Sequence, residues 1–216
     1  MSRRIIIADD HPLFRAALRQ ILAGGADLAI EDVGDLPALS AALEADRDCD
    51  LVLLDLNMPG AHGFSGLLLL RAQYPEVPVM IVSAVDDPKV IRRTLELGAA
   101  GYLPKSAGPA DIRSAIDTVL AGEISVPSGV DLSGEDDQSA FMRRLSSLTP
   151  QQIRVLMMLS GGLMNKQIAY ELSISEATVK AHVSSILQKL DVDSRTQAVI
   201  AASRIEQGQF ERLLEG

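Results

Sequence analysis

Short, uninterrupted apolar runs recur through the first half of this chain, and they constrain its fold more than any other feature. Residues 4–8 read RIIIA, residues 51–54 LVLL and residues 79–82 VMIV. Runs this short and this apolar are buried on both faces, which happens when a parallel sheet carries helices on either side. Between them lie stretches with helical periodicity. In 13–23, Leu13, Ala17, Leu18, Ile21 and Leu22 share one face, and 36–45, 64–73, 88–97 and 109–121 are also predicted helical. Weaker strands are expected at 28–33 and 101–103. The alternation predicts an α/β doubly wound (βα)5 domain of the flavodoxin-like kind.

The pattern changes after Gly122. The segment GEISVPSGVDLSGEDDQSAF is rich in Gly, Ser and acids, and it reads as a linker over 123–145 with one short helix near 141–145. From residue 148 the periodicity is helical only. Thr149-Pro150-Gln151-Gln152 is a capping box with Pro at the first helical position, opening a helix that Gly161-Gly162 ends. Helices over 165–172 and 176–190 flank the tight turn Ser173-Ile174-Ser175, and Ser175 is placed to cap the second of them. Ser194-Arg195-Thr196-Gln197 opens a fourth helix, over 194–207. Two short helices joined by a three-residue turn form a helix-turn-helix, here at about 165–184. The expected organisation is an α/β domain at 1–122, a linker at 123–145 and a small all-α four-helix domain at 146–211.

Composition narrows the setting. Aromatics are only 3% and Trp is absent, so aliphatic side chains must fill both cores. No run approaches the ~18 apolar residues of a membrane span. The N-terminal MSRRIIIADDHP starts like a secretory signal, but three Ile followed by two Asp are too short an apolar core. The single Cys49 excludes an intrachain disulfide framework and reads as a small buried hydrophobe. These features point to the cytoplasm and to no membrane partner. Net charge is −9, yet residues 146–216 balance seven cations against seven carboxylates. Nucleic-acid binding there must rest on a local patch.

Ligands of an open parallel sheet bind beyond the carboxyl ends of its strands. The first strand delivers Asp9-Asp10 to that edge, the third Asp55, the fourth Ser83-Ala84, and the fifth Tyr102-Leu103-Pro104-Lys105. Three crowded carboxylates raise one another's pKa unless a cation joins them. Mg2+ suits oxygen donors and keeps several waters. A carboxylate beside Mg2+ and a Lys is a candidate phosphoacceptor. His11 and His62 flank the edge, but imidazole suits softer metals, so neither is expected as a ligand. Taken singly, each signal has a plainer meaning, such as a solvated acid pair, a surface Lys or a turn Ser. Their joint arrival at the strand ends argues for a site.

The motifs ADDHP at 8–12, LLDLNMPG at 53–60, Ser83-Ala84 and GYLPK at 101–105 resemble those of a response-regulator receiver domain. The segment LTPQQIRVLMMLSGGLMNKQIAYELSISEATVKAHVSSILQKLDVDSRTQAV at 148–199 resembles the LuxR-type DNA-binding domain. The whole chain is therefore similar to NarL/FixJ-family two-component regulators. That resemblance implies phosphoryl transfer from a sensor histidine kinase to Asp55. It implies Mg2+ held by Asp10, Asp55 and the Asn57 backbone carbonyl, with Asp9 acting through water. Lys105 and Ser83 would contact the phosphoryl group, and Ser83 with Tyr102 would form the switch pair, Tyr102 rotating inward as Ser83 is drawn to the phosphoryl group.

In 176–190, Val179, Val183, Ile186, Leu187 and Leu190 make one buried face. The opposite face would enter the major groove of double-stranded promoter DNA. The resemblance implies base reading by Lys180, Ala181 and Ser184, and phosphate contacts from Lys166, Thr178, His182 and Lys189. Homodimerisation of the active form is expected through Ala198, Val199, Ala202 and Ile205 on the fourth helix. The chain departs from the family where Ser106 follows Lys105, at Gln151-Gln152 in place of Arg-Glu, at Ser185, where Asn or Arg is frequent, and at Gln188, where Lys or Arg is. An aspartyl-phosphate hydrolase of the haloacid-dehalogenase kind needs an Asp two residues after the nucleophile. Asn57 stands there, so a switch rather than an enzyme is expected. A second alternative keeps the same architecture but places it under protein partners without use of Asp55.

Overall fold

The computed structural model describes residues 3–23, 28–130 and 143–206. The N-terminal region alternates strands and helices in this order: β1 (Arg3–Ala8), α1 (Pro12–Leu22), β2 (Leu28–Val33), α2 (Leu36–Ala45) and β3 (Leu51–Asp55). A small hairpin follows, β4 (Asn57–Met58) and β5 (Ala61–His62), then α3 (Ser65–Gln73), β6 (Val79–Ser83), α4 (Pro88–Glu96), β7 (Gly101–Pro104) and α5 (Pro109–Leu120). Four helices complete the described chain: α6 (Pro150–Ser160), α7 (Asn165–Glu171), α8 (Glu176–Leu190) and α9 (Arg195–Glu206). The doubly wound domain and the helical domain expected from the sequence are both present.

The main sheet is parallel throughout, with strand order β2-β1-β3-β6-β7. Every residue of β3 and β6 is buried, which explains their unbroken apolar sequences. Alternate residues supply two cores. Ile5, Ile7, Leu51, Leu53, Met80 and Val82 face α1 and α5, packing on Leu18, Leu22, Ile112 and Ile116. Ile6, Val52, Leu54, Val79 and Ile81 face α2, α3 and α4. Cys49 is buried with this second set, as expected, and burial pushes its thiol pKa up.

Two features were not read from the sequence. The hairpin β4–β5 turns at Pro59-Gly60, where Gly60 has φ +82, a left-handed conformation that other residues adopt at a cost. The Pro59 carbonyl then accepts the Leu36 N–H at 2.9 Å and ties the hairpin to α2. Beyond α5, the start of the expected linker lies against the sheet edge. Ser125 bridges Gly101 in parallel, and the Tyr102 N–H donates to the Ser125 carbonyl at 3.0 Å. Gly101 permits this approach, since a Cβ there would meet the Ser125 carbonyl at 2.9 Å. The segment covers backbone groups that an edge strand would otherwise leave open.

Residues 143–146 form part of the short helix expected at 141–145; residues 141 and 142 lie outside the described residues. Thr149 and Gln152 form the anticipated capping box of α6, Ser175 caps α8 by accepting the Thr178 N–H at 3.0 Å, and Ser194 accepts the Gln197 N–H at 3.3 Å. Caps of this kind are worth about 1 kcal/mol each. Helix α6 packs on α3, and Arg154 Nη2 donates to Gln73 Oε1 at 2.9 Å across that contact. The α3 side of the sheet and the C-terminal helices thereby share one continuous set of buried side chains. Among the described residues, no helix is long and apolar enough to cross a membrane.

Candidate functional site

Strand order reverses between β1 and β3, and there the carboxyl ends open a crevice. Asp9 follows β1, Asp55 ends β3 and Lys105 follows β7. The Lys105 ammonium lies 2.7 Å from Asp9 Oδ2 and 3.1 Å from Asp55 Oδ2, joining two buried carboxylates that other strands deliver. It also sits over the Phe14 ring, 5.0 Å from the centroid. Asp10 is at the exposed rim. Asp9, Asp10, His11 and Asp55 bring one ligand atom each to within 4.8 Å of one another. Asp9 Oδ2, although ion-paired with Lys105, has no aligned hydrogen-bond donor in the structure. Three carboxylates with an under-satisfied buried oxygen fit a hard divalent cation.

The electrostatics follow from burial. Desolvation raises the Asp55 pKa, Asp9 adds to the rise, and Lys105 together with the Asn57 N–H offsets part of it. Burial would lower the Lys105 pKa, but close pairing with the Asp9 carboxylate and the charge of Asp55 outweigh it and hold the ammonium protonated. The site thus has a carboxylate short of charge stabilisation beside a firmly charged Lys.

Ser83 ends β6 with its hydroxyl accepting the Val85 N–H at 3.2 Å. Tyr102 is 1% exposed, and its hydroxyl donates to the Val85 carbonyl at 2.5 Å. Burial pushes its pKa to about 12, with the Ser83 hydroxyl acting in the opposite direction. In this structure the Tyr102 ring is turned inward, with the Val85 carbonyl as the partner of its hydroxyl. Asn57 is exposed in β4, paired with His62 of β5.

On α8, Val179, Ile186 and Leu190 are buried while Thr178, Lys180, Ala181 and Ser184 are exposed. The receiver helices do not cover this face. Lys180 is held by Glu176 at 3.2 Å, one turn before it. Lys166 on α7 is exposed and His182 is half-buried.

Both halves of the chain match known families. Residues 5–117 match the response regulator receiver domain, and residues 146–202 match the bacterial regulatory proteins of the luxR family. The chain belongs to the response-regulator family, in its NarL/FixJ branch. One relative is the glycerol metabolism activator of Pseudomonas putida, 41% identical over 94% of this chain and 96% of that protein. The nitrate/nitrite response regulator NarL of Escherichia coli (strain K12) is 32% identical over 91% of this chain and 93% of its own length. The structure of RcsB from Salmonella enterica serovar Typhimurium, bound to promoter P1flhDC in the presence of phosphomimetic BeF3-, matches at 23% identity with a TM-score of 0.58, covering 95% of this chain and all of that one. At that identity the match speaks for the fold.

In this response regulator three expectations need correction. Lys189 does not offer its ammonium to DNA. It donates to the Ser147 carbonyl at 2.7 Å and to Gln152 Oε1 at 2.9 Å, because the end of α8 packs beside the start of α6. Ala198 and Ala202 are fully buried in the helical domain's own core and present nothing to a second copy. Helix α9 turns that face inward, since four short helices need a common core. Val199 is half-buried in the same packing, Ile200 is 48% exposed, and the Ile205 side chain lies outside the described residues.

Proposed function

We propose that this regulator, with a receiver at 1–122, a linker at 123–145 and a LuxR-type domain at 146–211, is switched by phosphorylation of Asp55. The observation that carries the proposal is Lys105, whose ammonium bridges Asp9 and Asp55 at 2.7 and 3.1 Å. An Asp55 oxygen attacks the phosphorus of a phosphohistidine on the kinase. The bond from phosphorus to the imidazole nitrogen breaks, and its electron pair stays on the imidazole. Lys105 then exchanges part of its pairing with carboxylate for a phosphoryl oxygen, and the Ser83 hydroxyl turns from the Val85 N–H to another such oxygen. Asp10, Asp55 and the Asn57 carbonyl, with Asp9 through water, would hold Mg2+. That ion, when bound, neutralises charge on the transferring group. Tyr102 loses Ser83 as a neighbour, and its backbone carries the change to Ser125.

The output is binding of a homodimer to promoter DNA in the cytoplasm. Lys180, Ala181 and Ser184 read base edges, while Lys166, Thr178 and His182 contact phosphates. Ile200, with Val199 beside it, supplies the apolar part of the dimer contact. The test is incubation with a small phosphodonor and Mg2+, followed by intact mass and DNA binding. Wild type should gain one phosphoryl group and bind DNA more tightly, and Asp55→Asn should do neither. A wild-type chain that gains no mass would leave control to protein partners instead.

A further inference from the structure

His11 is the one member of the acidic cluster to which neither the receiver resemblance nor the proposed transfer gives work. It stands at the N-cap of α1, yet its side chain makes no capping hydrogen bond. The imidazole turns instead into the site. Its Nδ1 lies 2.6 Å from Asp10 Oδ1 and 3.1 Å from Asp9 Oδ1. Nδ1 is within hydrogen-bond geometry of the Asp9 oxygen, and the Asp10 oxygen lies in close contact with the same nitrogen. The Asp9 oxygen also accepts the His11 backbone N–H at 2.8 Å, which fixes that carboxylate's orientation. The side chain remains 65% exposed, so the ring can swing out without opening a buried cavity.

We infer that His11 is a positioning residue acting as a placeholder for the divalent cation: its imidazole bridges the two carboxylates that must receive the ion or its water, and must leave before the ion binds. This rests on the reading above that the cluster binds Mg2+. The ring keeps Asp9 and Asp10 oriented while the site is empty, and it lowers affinity by occupying their lone pairs. If the placeholder holds the site in about nine molecules in ten, its removal tightens the apparent affinity about tenfold.

The experiment is calorimetric titration of Mg2+ into the full chain at one fixed pH. Wild type is compared with His11→Ala and His11→Ser, and circular dichroism with thermal melts in EDTA establishes that each variant is folded. Both variants should bind Mg2+ about tenfold more tightly. The rise in Tm on adding a fixed Mg2+ concentration should be larger than for wild type. Equal affinity in the folded variants overturns the placeholder. Weaker affinity also overturns it and makes His11 a ligand. A wild-type chain that binds no Mg2+ while Asp9→Asn and His11→Ala are equally silent brings down the metal reading itself.

Discussion

Asp55 shows how burial sets the behaviour of a single residue. Its pKa is raised, chiefly by desolvation, so folding favours its neutral form. The stability it contributes is present below the ordinary carboxylate range and is lost as pH rises through its folded pKa. At neutral pH, without divalent cation, the ionised group therefore works against the fold. Asp55→Asn should melt higher than wild type at pH 7, by about 2–4 °C if the gain is about 1 kcal/mol. The difference should shrink when both are melted near pH 4. An equal or lower Tm for the variant at pH 7 would mean that Lys105 compensates the burial fully.

At the scale of the element, α8 divides its two lysines between different tasks. Lys180 points outward and pairs with Glu176, whereas Lys189 ties α8 to Ser147 and to Gln152. Gln152 itself donates to Ser185 at 2.9 Å, so α6 and α8 are joined at two points. Lys180→Ala should weaken DNA binding and reduce the slope of log affinity against log salt by about 1 if the ammonium meets a phosphate. Lys189→Ala should instead lower Tm by removing about 1 kcal/mol of hydrogen bonding, with the salt slope unchanged. Helix α9 makes a parallel distinction. Ala202→Asp buries an unpaired carboxylate and should unfold the helical domain. Ile200→Asp should leave it folded while shifting sedimentation of the phosphorylated chain toward monomer.

For the whole molecule, the decisive contact is α3 on α6. It connects the helix following the β4–β5 hairpin to the LuxR-type domain, and it leaves the face of α8 that carries Lys180 exposed. Arg154 contributes a hydrogen bond to Gln73 there and sits near enough to act on the Tyr74 hydroxyl. Arg154→Glu should separate the two domains. Small-angle scattering would then give a larger radius of gyration, while the isolated stability of each domain should change little. An unchanged radius would show that the shared apolar surface holds the domains together without this bond.

Much of this was legible in the amino-acid order, for local reasons. Runs such as LVLL and VMIV determine a parallel buried sheet, and strand ends then dictate that Asp9, Asp55, Ser83 and Lys105 meet. Capping residues at Thr149 and Ser175 mark helix starts through bonds spanning three residues. Other facts depended on contacts between residues far apart in the chain, which periodicity does not encode. That Lys189 faces Gln152, that Ala198 and Ala202 close a core, that Tyr102 is already inward, and that Ser125 lies along β7 were settled by packing. An apolar or charged residue on a helix declares only that it has a face; the neighbouring elements decide what that face meets.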